Sequence, residues 1–382
     1  MYRSTYHSQT KNPKSRIKKY LGYGCFCVLA STSLFSPQKA YADYEKKYIG
    51  KMQTHIAVYE DTLVHLARKY GMGFVEVRAA NPELDPWIPG EGAKVTIPSR
   101  HLLPDAPHDG IVINLPEMRV FAFVNGDEEP STFPIGIGRE GLGTPTGETS
   151  IIRKKVGPTW RPTQRMLDED PELPKVVPPG PDNPLGTHAL YLGWPTYAIH
   201  GTNRPYGIGR RVSSGCIRMY PESIEAFYEL IPVGTKVNVV NQPIKLAWIG
   251  NELFLEAHPD LDQALAMEQS GEVHEQKLSE DDIKHIIQIS GEYEEYLNWP
   301  RIRAALRERK GYPIRIGRRP SDIIEEVNTE IDEEADLDQE ETLNIKKAPT
   351  ESPPEKDDLQ EKIKSAAVAE KPDNSPPKWG NR

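Results

Sequence analysis

Between residues 108 and 241 the sequence is a succession of short apolar runs separated by glycine, proline and polar turns, a pattern that fits a β-rich fold and little else. Gly110-Ile111-Val112-Ile113-Asn114-Leu115 and Arg119-Val120-Phe121-Ala122-Phe123-Val124 are dense in β-branched and aromatic residues. They read as strands joined across Pro116-Glu117-Met118. Thr132 to Gly138, Glu148 to Lys154, Ala189 to Leu192, Tyr197 to Ile199 and Thr235 to Val240 read the same way, with Thr144-Pro145-Thr146-Gly147 as a turn. One helix is expected from Pro221 to Ile231, because Ile224, Phe227, Tyr228 and Ile231 recur at helical spacing. The segment Val156 to Leu185 is too rich in proline for regular structure to be expected. It reads as a long loop able to cross one face of the sheet, and long ordered loops are usually functional.

The chemistry concentrates in one stretch, Ile199 to Met219. It holds His200, Cys216, four glycines and four arginines. Cys216 stands between Gly215 and Ile217, so a carbonyl can approach the sulfur. The backbone amides of Ser214, Gly215 and Cys216 are candidates to meet a developing oxyanion. A thiol becomes a good nucleophile when an imidazole or guanidinium lowers its pKa, and His200, Arg211 and Arg218 are nearby in sequence. The competing reading is a buried structural cysteine with an unrelated histidine.

The N-terminus bears on that choice. Lys11, Lys14, Arg16, Lys18 and Lys19 precede an uncharged, mostly apolar run from Tyr20 to Phe35, and Ala40-Tyr41-Ala42 supplies small residues for cleavage after Ala42. At about 16 residues the run is short for a membrane span, which needs roughly 20. Residues 1–42 are therefore expected to be an export signal, with an uncleaved anchor as the alternative. Cys25 and Cys27 leave with it, so the mature chain keeps only Cys216. A lone cysteine in an exported protein makes no internal disulfide and is a liability unless it has work to do. Catalysis is the readiest reason to keep it.

Charge excludes one class of function. The net charge is −9, but residues 321–382 alone hold 18 acidic and 8 basic side chains, leaving the rest nearly neutral. A nucleic-acid surface is not indicated. The acidic, proline-containing tail has too few apolar residues to build a core and reads as disordered.

Residues 43–100 form a separate small module. Thr54 to Val58 reads as a strand. A helix opens at Glu60-Asp61-Thr62 and ends at Gly71, and a second runs from Val75 to Ala80 up to Asn81-Pro82. Ala93 to Pro98 closes as a strand. This βααβ order, with Asp61-Thr62-Leu63, Leu66-Ala67, Asn81-Pro82 and Val95-Thr96-Ile97-Pro98, resembles a LysM domain. The resemblance implies binding to N-acetylglucosamine-containing glycan strands. The alternative is a packing domain without a ligand.

The second resemblance is carried by Thr144-Pro145-x-Gly147, Ile199-His200-Gly201-Thr202 and Ser213-Ser214-Gly215-Cys216-Ile217-Arg218-Met219. This set is similar to the L,D-transpeptidase (YkuD-like) catalytic domain, and the region beyond it to the lipoprotein-attaching, ErfK-like branch. The resemblance implies a β-sandwich-like catalytic domain over 108–241, located in the periplasm, with no cofactor and no metal. It implies that Cys216 is the acyl-accepting nucleophile, that His200 is its proton acceptor and donor, and that the Gly201 carbonyl orients the imidazole. Arg218, with Ser213, would hold a peptidoglycan stem peptide, since a guanidinium suits a carboxylate. Position 214 is Ser where the family often has His.

Three other readings compete. A Cys-dependent carboxypeptidase or amidase would hydrolyse the same thioester, although papain-like hydrolases place Cys before His and the order here is reversed. A metal site lacks close ligand pairs, with His188 the only other nearby candidate. A non-catalytic wall-binding protein would not need the cysteine. Beyond Val240, Ile244 to Ile249 and Glu252 to Ala257 suggest a hairpin around Gly250-Asn251, and Asp281 to Ile289 and Trp299 to Lys310 suggest helices of a small appended domain over 242–320. The acyl acceptor, diaminopimelate or a lipoprotein lysine, is not readable from the sequence.

Overall fold

The computed structural model describes residues 46–320 except 125, 127 and 128. The expected signal over 1–42 and tail over 321–382 lie outside the described residues. Among these residues no helix is long and apolar enough to cross a membrane.

The chain opens with β1 (Tyr48–Ile49), β2 (Gln53–Ile56), α1 (Leu63–Lys69), α2 (Phe74–Ala80), β3 (Lys94–Ile97) and β4 (His101–Leu102). Strands β2 and β3 pair antiparallel from Gln53↔Ile97 to Ile56↔Lys94, which gives the expected βααβ order. Helix α1 starts where the Thr62 hydroxyl accepts from the His65 amide at 3.1 Å. It ends at Gly71, whose φ of 65° the glycine tolerates. The pair β1–β4 was not expected; two residues per strand are too short to show periodicity.

The central region follows as β5 (Gly110–Asn114), β6 (Arg119–Phe123), β7 (Ser131–Pro134), β8 (Ile137–Gly138), β9 (Gly147–Val156), α3 (Gln164–Glu169), β10 (His188–Leu192), β11 (Ala198–His200), β12 (Arg211–Ser213), β13 (Ile217–Arg218), α4 (Pro221–Leu230) and β14 (Lys236–Val240). Eight of these strands form one mixed sheet in the order β13-β11-β10-β9-β14-β5-β6-β7. The pairs β11–β13 and β14–β5 are parallel and the rest antiparallel. The sheet curls on itself: Gly136, just past the edge strand β7, exchanges two 2.8 Å backbone hydrogen bonds with Arg218 in the opposite edge strand β13. The short parallel pair β8–β12 sits beside that closure. The mainly β reading holds. Helix α3 corrects one detail: Pro162 and Pro171 flank it rather than interrupt it, and Thr163 caps its first turn.

The last section contains β15 (Ile244–Ile249), β16 (Glu252–Ala257), α5 (Leu261–Gln269), α6 (Glu280–Ser290), α7 (Trp299–Glu308) and β17 (Ile314–Arg318). The hairpin and two of the helices match expectation. Helix α5 and strand β17, which completes a β15-β16-β17 sheet, do not. Strand β17 holds only two apolar side chains, Ile314 and Ile316, among Arg315, Gly317 and Arg318, too few to show a pattern. Among the described residues, 46–249 and Leu253–Arg318 form one compact unit. Gly250–Glu252 with residues 319–320 form a second, within which the Arg319 amide donates to the Asn251 carbonyl at 2.7 Å.

The expected domain limits do not separate the cores. The N-terminal module has its own small core around Leu63, Leu66, Val77 and Ile97. Its Val64, Phe74, Val75 and Ala79 nevertheless pack into the main core with Ile111, Ile199, Ile217 and Phe227, and α5 adds Ala264 and Met267. Each fully buried side chain of this kind contributes roughly 1.5–3 kcal/mol relative to exposure, so both flanking regions are part of the central region's stability.

Candidate active site

Strand β11 places His200 in the sheet interior, 3% exposed, directly opposite Arg218 of the parallel neighbour β13. Cys216 is the last residue before β13, partly exposed, and among the described residues it is the only free cysteine. The parallel register sets Cys216 level with Ala198, two residues before His200 on the adjacent strand.

The imidazole is oriented by its own backbone: His200 Nδ1 lies 2.6 Å from the Gly201 carbonyl oxygen. A carbonyl can only accept, so Nδ1 carries the proton and Nε2 is left as the basic nitrogen of the neutral ring. Burial pushes the His200 pKa down to about 4, the Arg218 charge adds to the fall, and the Gly201 bond opposes it. Burial raises the Cys216 thiol, against the Ala198 amide and Arg218, which favour the thiolate. Both directions favour a neutral thiol beside a neutral imidazole at rest. The lowering expected from a neighbouring imidazole or guanidinium is outweighed by desolvation. The thiol donates to the Thr196 carbonyl at 3.4 Å. Thr196 has a φ of 70°, a costly conformation for a β-branched residue, and this turn aims its carbonyl at the sulfur.

The cysteine loop is fixed from three sides. Gly215 has a φ of 106°, and a Cβ there would stand 2.8 Å from the Tyr197 ring, so no other residue fits. The Thr144 hydroxyl donates to the Gly215 carbonyl at 2.8 Å and accepts from the Gly138 amide at 3.1 Å, which explains the Thr144-Pro145-x-Gly147 turn. The Ser213 hydroxyl donates to the Cys216 carbonyl at 2.5 Å and accepts from the Gly215 amide at 3.1 Å.

This last contact bears on two expected roles. Ser213 is 2% exposed and its hydroxyl bonds inside the loop, so it shapes the loop. The Gly215 amide is engaged by Ser213, which leaves the amides of Ser214 and Cys216 as the oxyanion candidates. Arg218 is half-buried, and its Nε is without a described partner.

The proline-rich segment is ordered by Asn183, which is fully buried. Its Nδ2 donates to the carbonyls of Pro158, Val177 and Pro178 at 2.8–3.1 Å. Glu169 of α3 pairs with Arg139 at 3.3 Å, and the Arg139 amide donates to the Ser213 carbonyl. The segment is thus tethered beside the cysteine loop.

Comparison with known proteins fits this geometry. Residues 108–239 match the model of the L,D-transpeptidase catalytic domain. The chain is 39% identical over 266 residues to the probable L,D-transpeptidase YcfS of Escherichia coli K12, covering 66% of this chain and 82% of that one. It is 38% identical over 260 residues to the probable L,D-transpeptidase YbiS of the same strain, covering 66% and 83%. The chain belongs to the L,D-transpeptidase family. Among solved structures, an L,D-transpeptidase from Mycobacterium smegmatis overlaps 39% of this chain and 63% of its own at 22% identity and a TM-score of 0.29.

One further cluster of ligand-type side chains occurs in this L,D-transpeptidase. His101, Glu117 and Glu256 are fully buried, each offers one atom within 4.8 Å of the others, and neither His101 ring nitrogen has a described hydrogen-bond partner. Lys245 Nζ lies 2.9 Å from both Glu117 Oε1 and Glu256 Oε1 and already supplies the cation there. Burial disfavours the Glu117 carboxylate, but Lys245 and the neighbouring histidines hold its carboxyl well below the usual range. The cluster shares no residue with the Cys216 loop. It joins β4, the β5–β6 turn and the β15–β16 hairpin.

Proposed function

We propose that this L,D-transpeptidase acts on peptidoglycan in the periplasm through a Cys216–His200 pair. As a substrate carbonyl arrives, the thiol proton passes to His200 Nε2 and the sulfur bonds to the carbonyl of the third stem residue, diaminopimelate. The amides of Cys216 and Ser214 meet the oxyanion. The tetrahedral centre collapses, the bond to the terminal D-Ala breaks, and His200 returns the proton to the leaving amine. A thioester remains. An amine then attacks it, loses a proton to His200 and takes the acyl group as a new amide, restoring the thiol. The cleaved amide's energy is kept in the thioester, so no nucleotide is consumed. Arg218, in β13 opposite His200, meets the stem carboxylate.

The observation that carries this reading is the Nδ1–Gly201 bond, which leaves Nε2 as the basic nitrogen, on the strand adjacent to the one that follows the only free cysteine among the described residues. Docking on glycan strands falls to the βααβ module, read as LysM-like. Its two loops expose Tyr59 at 84%, Trp87 at 59% and Ile88 at 76%, an apolar surface suited to stacking on sugar faces. The proline-rich segment tethered to the loop through Arg139 supports transfer over hydrolysis, on the reading that it limits the access of water to the thioester.

The test is product analysis. The enzyme is incubated with a disaccharide-tetrapeptide alone, with a second diaminopimelate-bearing stem, and with a lysine-ended lipoprotein-like peptide, and products are weighed by mass spectrometry. An amide adduct lacking the donor's D-Ala is expected with one of the amines. Tripeptide as the dominant product with every amine in excess would make the protein a carboxypeptidase.

A further inference from the structure

The path from β11 to the cysteine runs through Arg204 to Ser213, and α2 and α5 grip it from two sides. On the N-terminal side, the Phe74 and Val75 amides at the start of α2 donate to the Ile208 and Gly209 carbonyls at 3.4 and 3.2 Å. The contact is glycine on glycine, since a Cβ on Gly209 would stand 2.3 Å from the Gly73 Cα. The Arg210 guanidinium lies over the Phe74 ring at 3.6 Å. On the C-terminal side, one residue of α5 makes two contacts. The Glu268 carbonyl accepts from Arg210 Nη1 at 3.3 Å, and Glu268 Oε1 accepts from the Arg211 amide at 2.8 Å.

The second contact matters for the site. Arg211 opens β12, whose register against β8 slips between Arg211 and Ser213. The Arg211 amide is satisfied by the Glu268 side chain and not by a strand carbonyl. Two residues on, Ser213 grips Cys216 and Gly215 through its hydroxyl. A single side chain from outside the catalytic sheet therefore sets where β12 begins, and β12 sets the cysteine loop.

We infer that Glu268 is a positioning residue for the transfer reaction, holding the Arg211 amide so that Ser213 presents Cys216 in line with His200. The inference rests on the reading of Cys216 as nucleophile. Only acceptance at Oε1 is required, so an amide oxygen serves as well as a carboxylate. Burial raises the Glu268 pKa against the pull of its arginine neighbours, in keeping with a side chain used as an acceptor and not as a counter-charge.

The experiment uses the full mature chain with Glu268→Met, which fills the same space without an acceptor, Glu268→Ala as a second removal, and Glu268→Gln, which keeps one. Cys216→Ala is run beside them. Turnover of tetrapeptide donor with amine, the alkylation rate of Cys216 by iodoacetamide and the melting temperature are measured. A misplaced nucleophile loses on the order of 10–100-fold in kcat at nearly unchanged KM, so Met or Ala, whichever folds, should show that loss with an altered alkylation rate. Gln should recover to within about threefold, since it restores the acceptor. Wild-type kcat in a folded Met or Ala variant overturns the inference. So does a Gln variant as slow as Met, or a loss accounted for by the unfolded fraction. Turnover persisting in Cys216→Ala would instead overturn the nucleophile reading.

Discussion

His200 ties folding to the proposed chemistry at a single side chain. Its pKa falls from 6.5 to about 4 because the ring is buried beside Arg218. Between those values the unfolded chain binds a proton that the folded chain refuses, so stability is complete above about pH 6.5 and drains as pH falls towards 4. A shift of this size is worth about 3 kcal/mol. Wild type should therefore lose about 3 kcal/mol more unfolding free energy than His200→Gln on going from pH 6.5 to 4, by urea denaturation at each pH. Parallel curves would mean that His200 is not buried neutral. The same burial keeps Nε2 unprotonated at neutral pH, which is the form a base needs.

At the scale of elements, the loop between β11 and β13 is positioned by close backbone approach. Gly209 has a φ of 71° and stands against Gly73 and the Phe74 amide. Gly209→Ala forces both strain and separation, and should cost about 2–4 kcal/mol. Gly141→Ala, at a φ of 73° but with nothing within 4 Å, should cost only about 1 kcal/mol. Equal costs in urea melts would show that the α2 contact is not tight. The strands of this region were readable in the sequence because Val112, Val120, Ile151 and Val237 sit in runs whose apolar residues have nowhere to go but a core. His200, Gly201 and Cys216 were readable from their motif. The tasks of Ser213, Thr196 and Glu268 were not, since each depends on a partner that only the fold brings near: the Cys216 carbonyl, the Cys216 thiol and the Arg211 amide. Helix α5 was missed because its buried side, Gln263, Ala264 and Met267, carries little apolar signal.

For the molecule as a whole, the flanking regions are structural partners of the catalytic sheet. The N-terminal module contributes Phe74 and Val75 to the main core, and the C-terminal section contributes Ala264 and Met267. The Arg119–Glu76 pair at 2.8 Å, both side chains buried, fastens α2 to β6. Lys245 does the same for β15 and the turn before β6 through Glu117. Breaking such a buried pair by removing one partner leaves a stranded charge, so these contacts hold the module in one orientation. The exposed aromatic loops are thus carried at a fixed place relative to Cys216, as the proposed docking on glycan strands requires. The central claim is that Cys216 carries the acyl group. Rapidly quenched enzyme, mixed with a disaccharide-tetrapeptide without acceptor and weighed intact, gives the most direct test. The account predicts a mass gain equal to the donor less D-Ala, on the peptide containing Cys216, absent in Cys216→Ala and slow to form in His200→Gln. The same adduct on another residue, or its formation in Cys216→Ala, would contradict it.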